Sequence, residues 1–192
     1  MRLLSEIHET TPLYPPAGGK QGRPRARTRL AEIGRNSRFM SEPGMQPLQD
    51  PTPKRGFYVL KIDGGITAEQ GAAGPAAIGV VLKDHKYRDV DELSKRIGWA
   101  RNHHEAEYKA LIAGLELARR HGIDRIRVFS DSALVVNTVN GDWNLQPEHL
   151  KDLCVKASLL FKEFADIKLS WVPREMNLEA DTLASRALGR GR

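Results

Sequence analysis

The chain carries an aspartate at the end of an apolar, strand-like segment, Tyr58-Val59-Leu60-Lys61-Ile62-Asp63-Gly64-Gly65. β-Branched and aromatic residues favour strands, and the glycine pair predicts that the strand ends in a turn. A carboxylate beside an apolar element is costly to bury without a partner. The segment therefore predicts a partner for Asp63.

Three further acidic residues occupy comparable positions. Glu107 stands at the start of a helical pattern over residues 106–120, and Asp131 follows the strand-like residues 125–130. Asp181 lies within the last helical pattern of the chain. The periodicity of both helices places Glu107 and Asp181 on the apolar face that packs on a sheet. Four carboxylates at such positions predict one shared site.

Each acidic residue also has a structural interpretation. A turn explains Asp63, a helix cap explains Asp131, and Glu107 suits a helix N-terminus. Asp181 could form an ion pair with Arg174 or Arg186. Taken together, the four positions favour a cation site, because carboxylate oxygens are the ligands of hard ions such as Mg²⁺. Two such ions about 3.5–4 Å apart can hold a scissile phosphate.

Composition limits the class of protein. The 192 residues suffice for one domain plus a tail, and 40% hydrophobic residues suffice for a core. The net charge is +6, and there is one cysteine, Cys154. We expect no membrane span, no disulfide and no secretory leader, and hence a cytoplasmic protein, monomeric by default.

The first 53 residues differ from the remainder. They hold 8 of the 11 prolines, and their 8 basic and 5 acidic residues include alternating arginines at 22–29. This composition predicts a disordered tail over residues 1–53 and a folded domain over 54–192. The arginines could add affinity for phosphates or simply be solvated, and translation could begin at Met40 or Met45.

The remaining pattern predicts an α/β fold. Strands are expected at 57–62, 77–83, 95–100, 125–130 and 167–172, and helices at 106–120, 132–139, 147–164 and 177–188. The order βββαβααβα indicates a five-stranded mixed sheet flanked by helices, with the first three strands antiparallel.

Five motifs in this order resemble ribonuclease H of type 1 and the wider ribonuclease H-like, reverse-transcriptase-associated group. They are residues 58–65, 74–82, 106–115, 130–136 and 172–184, and the resemblance covers about 56–189. It implies the ribonuclease H-like fold and hydrolysis of the RNA strand of RNA–DNA hybrids, giving 5′-phosphate ends and using two Mg²⁺ or Mn²⁺ ions. The residues that fall on the family's metal-binding catalytic positions are Asp63, Glu107, Asp131 and Asp181, with Asp63 expected to bridge the ions.

The resemblance also implies contacts with substrate. These are expected at Gly64, Gly65, Asn102, His103, His104 and Ser132. Histidines replace the asparagine pair that in many members reads the RNA 2′-hydroxyl; an imidazole can still donate and accept hydrogen bonds, but the pair could equally be a surface feature.

Two further departures from the family pattern concern the binding of the nucleic acid. Arg174 stands where many members carry a mobile histidine, and it could stabilise the scissile phosphate or be a surface arginine. Only residues 141–144 join the two helices after Asp131, so a long basic handle is missing. The alternatives to the hybrid nuclease are an inactive nucleic-acid-binding module of the same fold, or a nuclease for structured RNA, double-stranded RNA or DNA junctions.

Overall fold

A computed structural model describes residues 56–68, 72–145 and 147–190, all within the unit Leu48–Arg192. The predicted tail at 1–53 lies outside the described residues. The elements are β1 Tyr58–Ile66, β2 Gly74–Lys83, β3 Asp89–Ala100, α1 His103–Arg120, β4 Arg125–Ser130, α2 Ala133–Asn140, α3 Glu148–Phe161, β5 Asp166–Trp171 and α4 Leu178–Ala187, with a 3-10 turn at Arg174–Met176. The predicted order βββαβααβα is confirmed.

The sheet is mixed, with strand order β3-β2-β1-β4-β5. β1 is antiparallel to β2 and parallel to β4, which in turn is parallel to β5. The central strand β1 packs on α1 through Leu60 and Ile62, which are fully buried. α4 packs closely on β2, where a Cβ on Gly79 would lie 2.0 Å from the carbonyl oxygen of Ala180. The sheet thus lies between two helices that each carry an acidic candidate residue.

The expected turn at Gly64 and Gly65 is wrong. β1 continues to Ile66, and its pairing with β2 includes Gly64 opposite Ile78. Glycine is required at position 64 because a Cβ there would lie 2.2 Å from the carbonyl carbon of Ala106 in α1. Asp63 therefore lies inside a strand rather than after it.

Other boundaries differ at the edges of elements. β3 begins at Asp89 instead of residue 95, since this edge strand is largely exposed and polar and lacks a clear alternation. α1 begins at His103 instead of residue 106, because the side chain of Asn102 accepts a hydrogen bond from the backbone N–H of Glu105 at 3.0 Å. No helix in the described ranges combines the length and the hydropathy that a membrane crossing needs.

Candidate active site

Three of the predicted acidic residues meet at one edge of the sheet. One carboxylate oxygen from each of Asp63, Glu107 and Asp131 lies within 4.8 Å of the other two. β1 positions Asp63, α1 positions Glu107, and the chain leaving β4 positions Asp131. Asp63 and Glu107 are buried, at 6% and 2% exposure, whereas Asp131 is partly exposed. The site is therefore an acidic pocket that opens to solvent on the side of Asp131.

Burial and mutual repulsion disfavour ionisation of this cluster. Burial, then the charges of Glu107, Asp131 and Asp181, raise the pKa of Asp63 from 3.8 to about 8. Burial likewise raises the pKa of Glu107, although a hydrogen bond with His103 opposes this effect. Without a cation, Asp63 holds a proton at neutral pH.

His103 engages one oxygen of Glu107 and leaves the other free. Its Nε2 lies 2.7 Å from Glu107 Oε1, and this contact raises the pKa of His103. Glu107 Oε2 is buried and has no hydrogen-bond partner in the described part of the chain. A buried oxygen without a donor is costly, so it suits a ligand that supplies positive charge.

Asp181 lies beside the three converging acids. Its charge contributes to the raised pKa of Asp63, so it belongs to the same electrostatic site. The exposed Arg174 forms an ion pair with Asp181, which selects Arg174 over Arg186 as the pairing residue. In turn, the negative charge of Asp181 raises the pKa of Arg174.

The residues before Glu107 lie at the start of α1, close to the acidic pocket. Both polar atoms of the Asn102 amide contact protein, since Oδ1 caps the helix and Nδ2 lies 2.9 Å from Nε2 of His149. His103 is 57% exposed. His104 is partly buried, which lowers its pKa, and its Nδ1 lacks a hydrogen-bond partner among the described residues. Of these three, His103 is the exposed side chain, whereas the unpartnered Nδ1 of His104 is a buried atom.

The remaining predicted contact residues have packing roles in the structure. Gly64 lies against the backbone of α1, and a Cβ on Gly65 would lie 3.1 Å from the side chain of Leu188. Ser132 is buried, and its backbone N–H donates to the hydroxyl of Ser130 at 3.1 Å. These positions shape the pocket, and their contact with substrate stays a prediction.

Sequence reasoning did not identify two residues that hold Asp131. Asn177 is fully buried, and its Nδ2 donates to the carbonyl oxygen of Ile62 at 2.9 Å and to Asp131 Oδ1 at 2.8 Å. The indole N–H of Trp171 donates to the backbone oxygen of Asp131 at 3.1 Å. The position of Asn177, four residues before Asp181, was the available signal, but an asparagine before a helix is also an ordinary cap.

A second group of charges lies next to the acidic pocket and was also missed. It consists of Lys61, Lys83, Glu179 and Asp89, called here the lysine cluster. Glu179 Oε2 lies 2.7 Å from Lys61 Nζ, and Glu179 Oε1 lies 2.8 Å from Lys83 Nζ. Lys83 also pairs with Asp89 at 2.6 Å. These pairs tie the first turn of α4 to β1 and β2.

The acidic pocket fits a hard divalent cation. Its donors are all carboxylate oxygens, which Mg²⁺ and Mn²⁺ prefer over nitrogen or sulfur. The free Glu107 oxygen and the raised pKa of Asp63 both indicate that the site lacks positive charge, which a bound cation would supply. Asp63, Glu107 and Asp131 are the residues that could hold it, with Asp181 beside them.

Comparisons with known proteins identify a family and relatives that span the candidate site. Residues 61–187 match the family described as reverse transcriptase-like. The chain is 41% identical to ribonuclease HI of Halobacterium salinarum over 136 residues, which is 71% of this chain and 67% of that protein. It is 40% identical to a bifunctional protein of Mycobacterium tuberculosis over 68% of this chain, and it spans only 35% of the length of that relative.

Solved structures show the same fold. The crystal structure of the ribonuclease H1 from Halobacterium salinarum is 39% identical, with a TM-score of 0.65, covering 70% of this chain and 98% of that one. A metagenomic ribonuclease H1 from compost was solved in complex with an RNA/DNA hybrid. That complex is 32% identical, with a TM-score of 0.63, covering 69% of this chain and 97% of the other.

Proposed function

The chain belongs to the reverse transcriptase-like family, and from this membership we propose that it is an endoribonuclease that hydrolyses the RNA strand of RNA–DNA hybrids. The observation that carries the proposal is the convergence of Asp63, Glu107 and Asp131 at one site, where His103 and Arg174 pair with only part of the negative charge. A protein of the same fold that only bound nucleic acid would gain nothing from holding like charges together.

The relatives support the substrate class. The Halobacterium relative is a ribonuclease HI, and the compost ribonuclease H1 binds an RNA/DNA hybrid in its crystal structure. The similarity covers the whole candidate site, since the family match runs from residue 61 to residue 187. We extend the hybrid substrate to this chain on that basis.

The acidic residues would hold two Mg²⁺ or Mn²⁺ ions. Asp63 lies close to both Glu107 and Asp131 and is the residue expected to contact both ions, while Glu107, Asp131 and Asp181 would be the remaining ligands. Bound ions supply the Lewis acidity that activates a water and stabilises the leaving oxygen of the phosphodiester. The chain contributes rigidity, because each acid is fixed by a different element of the fold.

Three cationic or ionisable side chains lie near the acids. Arg174 is exposed beside Asp181, where its guanidinium can bind a phosphate oxygen of the RNA strand. His103 and His104 lie at the start of α1, where an imidazole can donate to or accept from a 2′-hydroxyl. A cytoplasmic location and a monomeric state stay predictions from the sequence.

The test is cleavage of an end-labelled RNA–DNA hybrid by the full chain and by Asp131→Asn, with Mg²⁺, Mn²⁺ or EDTA. We expect cleavage of the RNA strand alone, its loss in EDTA, and a decrease of more than about 100-fold in the variant. The variant should still bind the hybrid, since the substitution removes a negative charge.

The same assay separates the alternatives. Equal cleavage of an RNA duplex or a DNA duplex at the same salt concentration would change the substrate class. Binding of the hybrid by the wild-type chain without cleavage in either metal would indicate the inactive binding module. Undiminished cleavage by Asp131→Asn would contradict the mechanism.

A further inference from the structure

Asn177 occupies the centre of the acidic site without being one of its acids. It is fully buried, and its amide nitrogen donates to two acceptors, the carbonyl oxygen of Ile62 and the carboxylate of Asp131. Because both neighbours can only accept, the orientation of the amide is fixed with Nδ2 towards them. Its Oδ1 is buried and has no hydrogen-bond partner within the described ranges.

This residue connects three segments that carry acids. Ile62 directly precedes Asp63, so the first hydrogen bond holds the backbone of β1 next to that carboxylate. The second holds the Asp131 side chain itself. The backbone oxygen of Asn177 also accepts the N–H of Asp181 at 3.1 Å. The side chain of Asn177 therefore joins the segments that carry Asp63 and Asp131, and its backbone begins the helix that carries Asp181.

The chemistry of an amide suits this position. Asp63 and Asp131 repel each other, and an N–H donor shared between the two segments opposes the repulsion. A lysine or arginine would do so with a full positive charge, which would compete with a cation for the same oxygens. An aspartate would lose the donor and add another negative charge. The unpartnered Oδ1 lowers the stability of the fold. The presence of an asparagine at position 177 is therefore better explained by its contacts within the acidic site than by a contribution to folding.

We propose that Asn177 is a positioning residue that holds Asp131 at the distance from Asp63 required to bind divalent cations. The proposal rests on the function proposed above. It predicts that loss of the two donated hydrogen bonds weakens cation binding while the reaction at saturating cation is affected much less, because the ligands themselves remain.

The experiment uses the full chain and two variants that remove the donors differently. Asn177→Ala leaves a cavity, whereas Asn177→Leu keeps nearly the same volume without a donor. Thr138→Val is the matched control, since Thr138 is also buried, donates to the carbonyl oxygen of Leu134 at 2.6 Å and has no acid among its hydrogen-bond partners in the described part of the chain. Mg²⁺ affinity is measured by calorimetry without substrate, and the Mg²⁺ concentration for half-maximal hybrid cleavage is measured separately.

We expect both Asn177 variants to bind Mg²⁺ about 10-fold more weakly or worse, with a parallel increase in the half-maximal concentration. Thr138→Val should unfold at a lower temperature and keep the wild-type Mg²⁺ affinity. Asn177→Ser, which keeps one donor, should fall between Asn177→Ala and the wild type. If the first two variants do not fold, the Mg²⁺ affinity of Asn177→Ser decides the question.

Unchanged Mg²⁺ affinity in the folded Asn177 variants would overturn the proposal. Restoration of affinity by Asn177→Leu but not by Asn177→Ala would also overturn it, because the defect would then be a cavity. Failure of the wild-type chain to bind Mg²⁺ or to cleave the hybrid would instead reject the proposed function.

Discussion

Two charged clusters lie side by side on one face of β1, and they are built in opposite ways. Lys61 and Asp63 are two residues apart on the strand, so their side chains point to the same face. Lys61 belongs to the lysine cluster, where two lysines meet Glu179 and Asp89 at 2.6–2.8 Å. Asp63 belongs to the acidic pocket, where three carboxylates converge beside Asp181 and where one histidine and one arginine pair with acids in the described part of the chain.

The contrast between the two clusters shows which charged side chains find a partner of opposite charge within the chain. In the lysine cluster, partial burial raises the pKa of Glu179, but hydrogen bonds from Lys61 and Lys83 lower it overall. In the acidic pocket, burial and repulsion raise the pKa of Asp63 to about 8. The first cluster is closed by ion pairs within the fold, whereas the second fits a cation that the proposed function would bind there. Substitutions in the acidic pocket should therefore lower activity without lowering stability, whereas substitutions in the lysine cluster should lower stability with little effect on activity.

The largest effect on activity is expected from Asp63→Asn. Loss of the central ligand should lower hybrid cleavage by more than about 100-fold at any Mg²⁺ concentration. Without Mg²⁺ the variant should be at least as stable as the wild type, because a buried, repelled carboxylate is replaced by a neutral amide. Urea denaturation in EDTA and a cleavage assay measure the two effects. An Asp63→Asn variant that stays active and is less stable than the wild type would contradict this contrast between the acidic pocket and the lysine cluster.

The opposite result is expected from Glu179→Gln in the lysine cluster. Lys61, whose side chain is only 12% exposed, would lose its carboxylate partner. Breaking a buried pair costs about 3–5 kcal/mol, and the partial exposure of Glu179 reduces this to about 2 kcal/mol. Cleavage per folded molecule should change by less than about 10-fold, since no predicted cation ligand is removed.

The matched control for this prediction is Glu148→Gln. Glu148 pairs with Lys151 at 2.5 Å, but both side chains are well exposed. Its loss should cost no more than about 0.5 kcal/mol. Equal losses of stability in Glu148→Gln and Glu179→Gln, measured by urea denaturation, would show that the lysine cluster stabilises the fold no more than an exposed ion pair does.

The sequence was sufficient to predict the element order and the convergence of Asp63, Glu107 and Asp131, because both depend on local patterns. The residues around Glu107 show a 3.6-residue period, and residues 125–130 form a strand with the predicted bounds. Gly64 was misread as part of a turn because the reason for a glycine there is the backbone of α1, about forty residues later in the chain. Local patterns cannot indicate such a contact.

The supporting residues of the site were not predictable for the same reason. Asn177 and Lys83 have ordinary local interpretations, as a helix cap and a strand-end lysine. Their importance depends on partners far away in the sequence, Ile62 at a separation of 115 residues and Glu179 in α4. The acids were easier to predict because a carboxylate is almost never fully buried without a partner, whereas an asparagine before a helix is commonly a cap.

A moderate effect is expected from pH. Asp63 has a folded-state pKa of about 8 against an ordinary value of 3.8, so between these values the folded chain holds a proton that the unfolded chain has released. Stability without Mg²⁺ should therefore fall as pH rises from 5 to 8, by at most about 1.4 kcal/mol per unit for one group. The raised pKa of His103 acts in the same direction, since its stabilising charge is lost as pH rises.

Urea denaturation at several pH values, in EDTA and in Mg²⁺, measures this dependence. Cation binding requires deprotonated carboxylates, so stabilisation by Mg²⁺ should increase with pH. Asp63→Asn should flatten the profile in EDTA, whereas Glu179→Gln should keep its slope, because the lowered pKa of Glu179 acts only in a more acidic range. Stability that rises with pH in EDTA would contradict the assignment of an uncompensated pocket.

The smallest effect is expected from Trp171→Phe, at the border of the acidic pocket. The substitution keeps an aromatic ring and removes the indole N–H that donates to the backbone oxygen of Asp131. Loss of one such hydrogen bond costs about 1 kcal/mol, and Asp131 is still held by Asn177. Cleavage at saturating Mg²⁺ should fall by less than about 10-fold, and Mg²⁺ affinity should fall less than in Asn177→Ala. A larger loss in Trp171→Phe would mean that the backbone after β4, rather than the amide of Asn177, fixes the position of the Asp131 carboxylate.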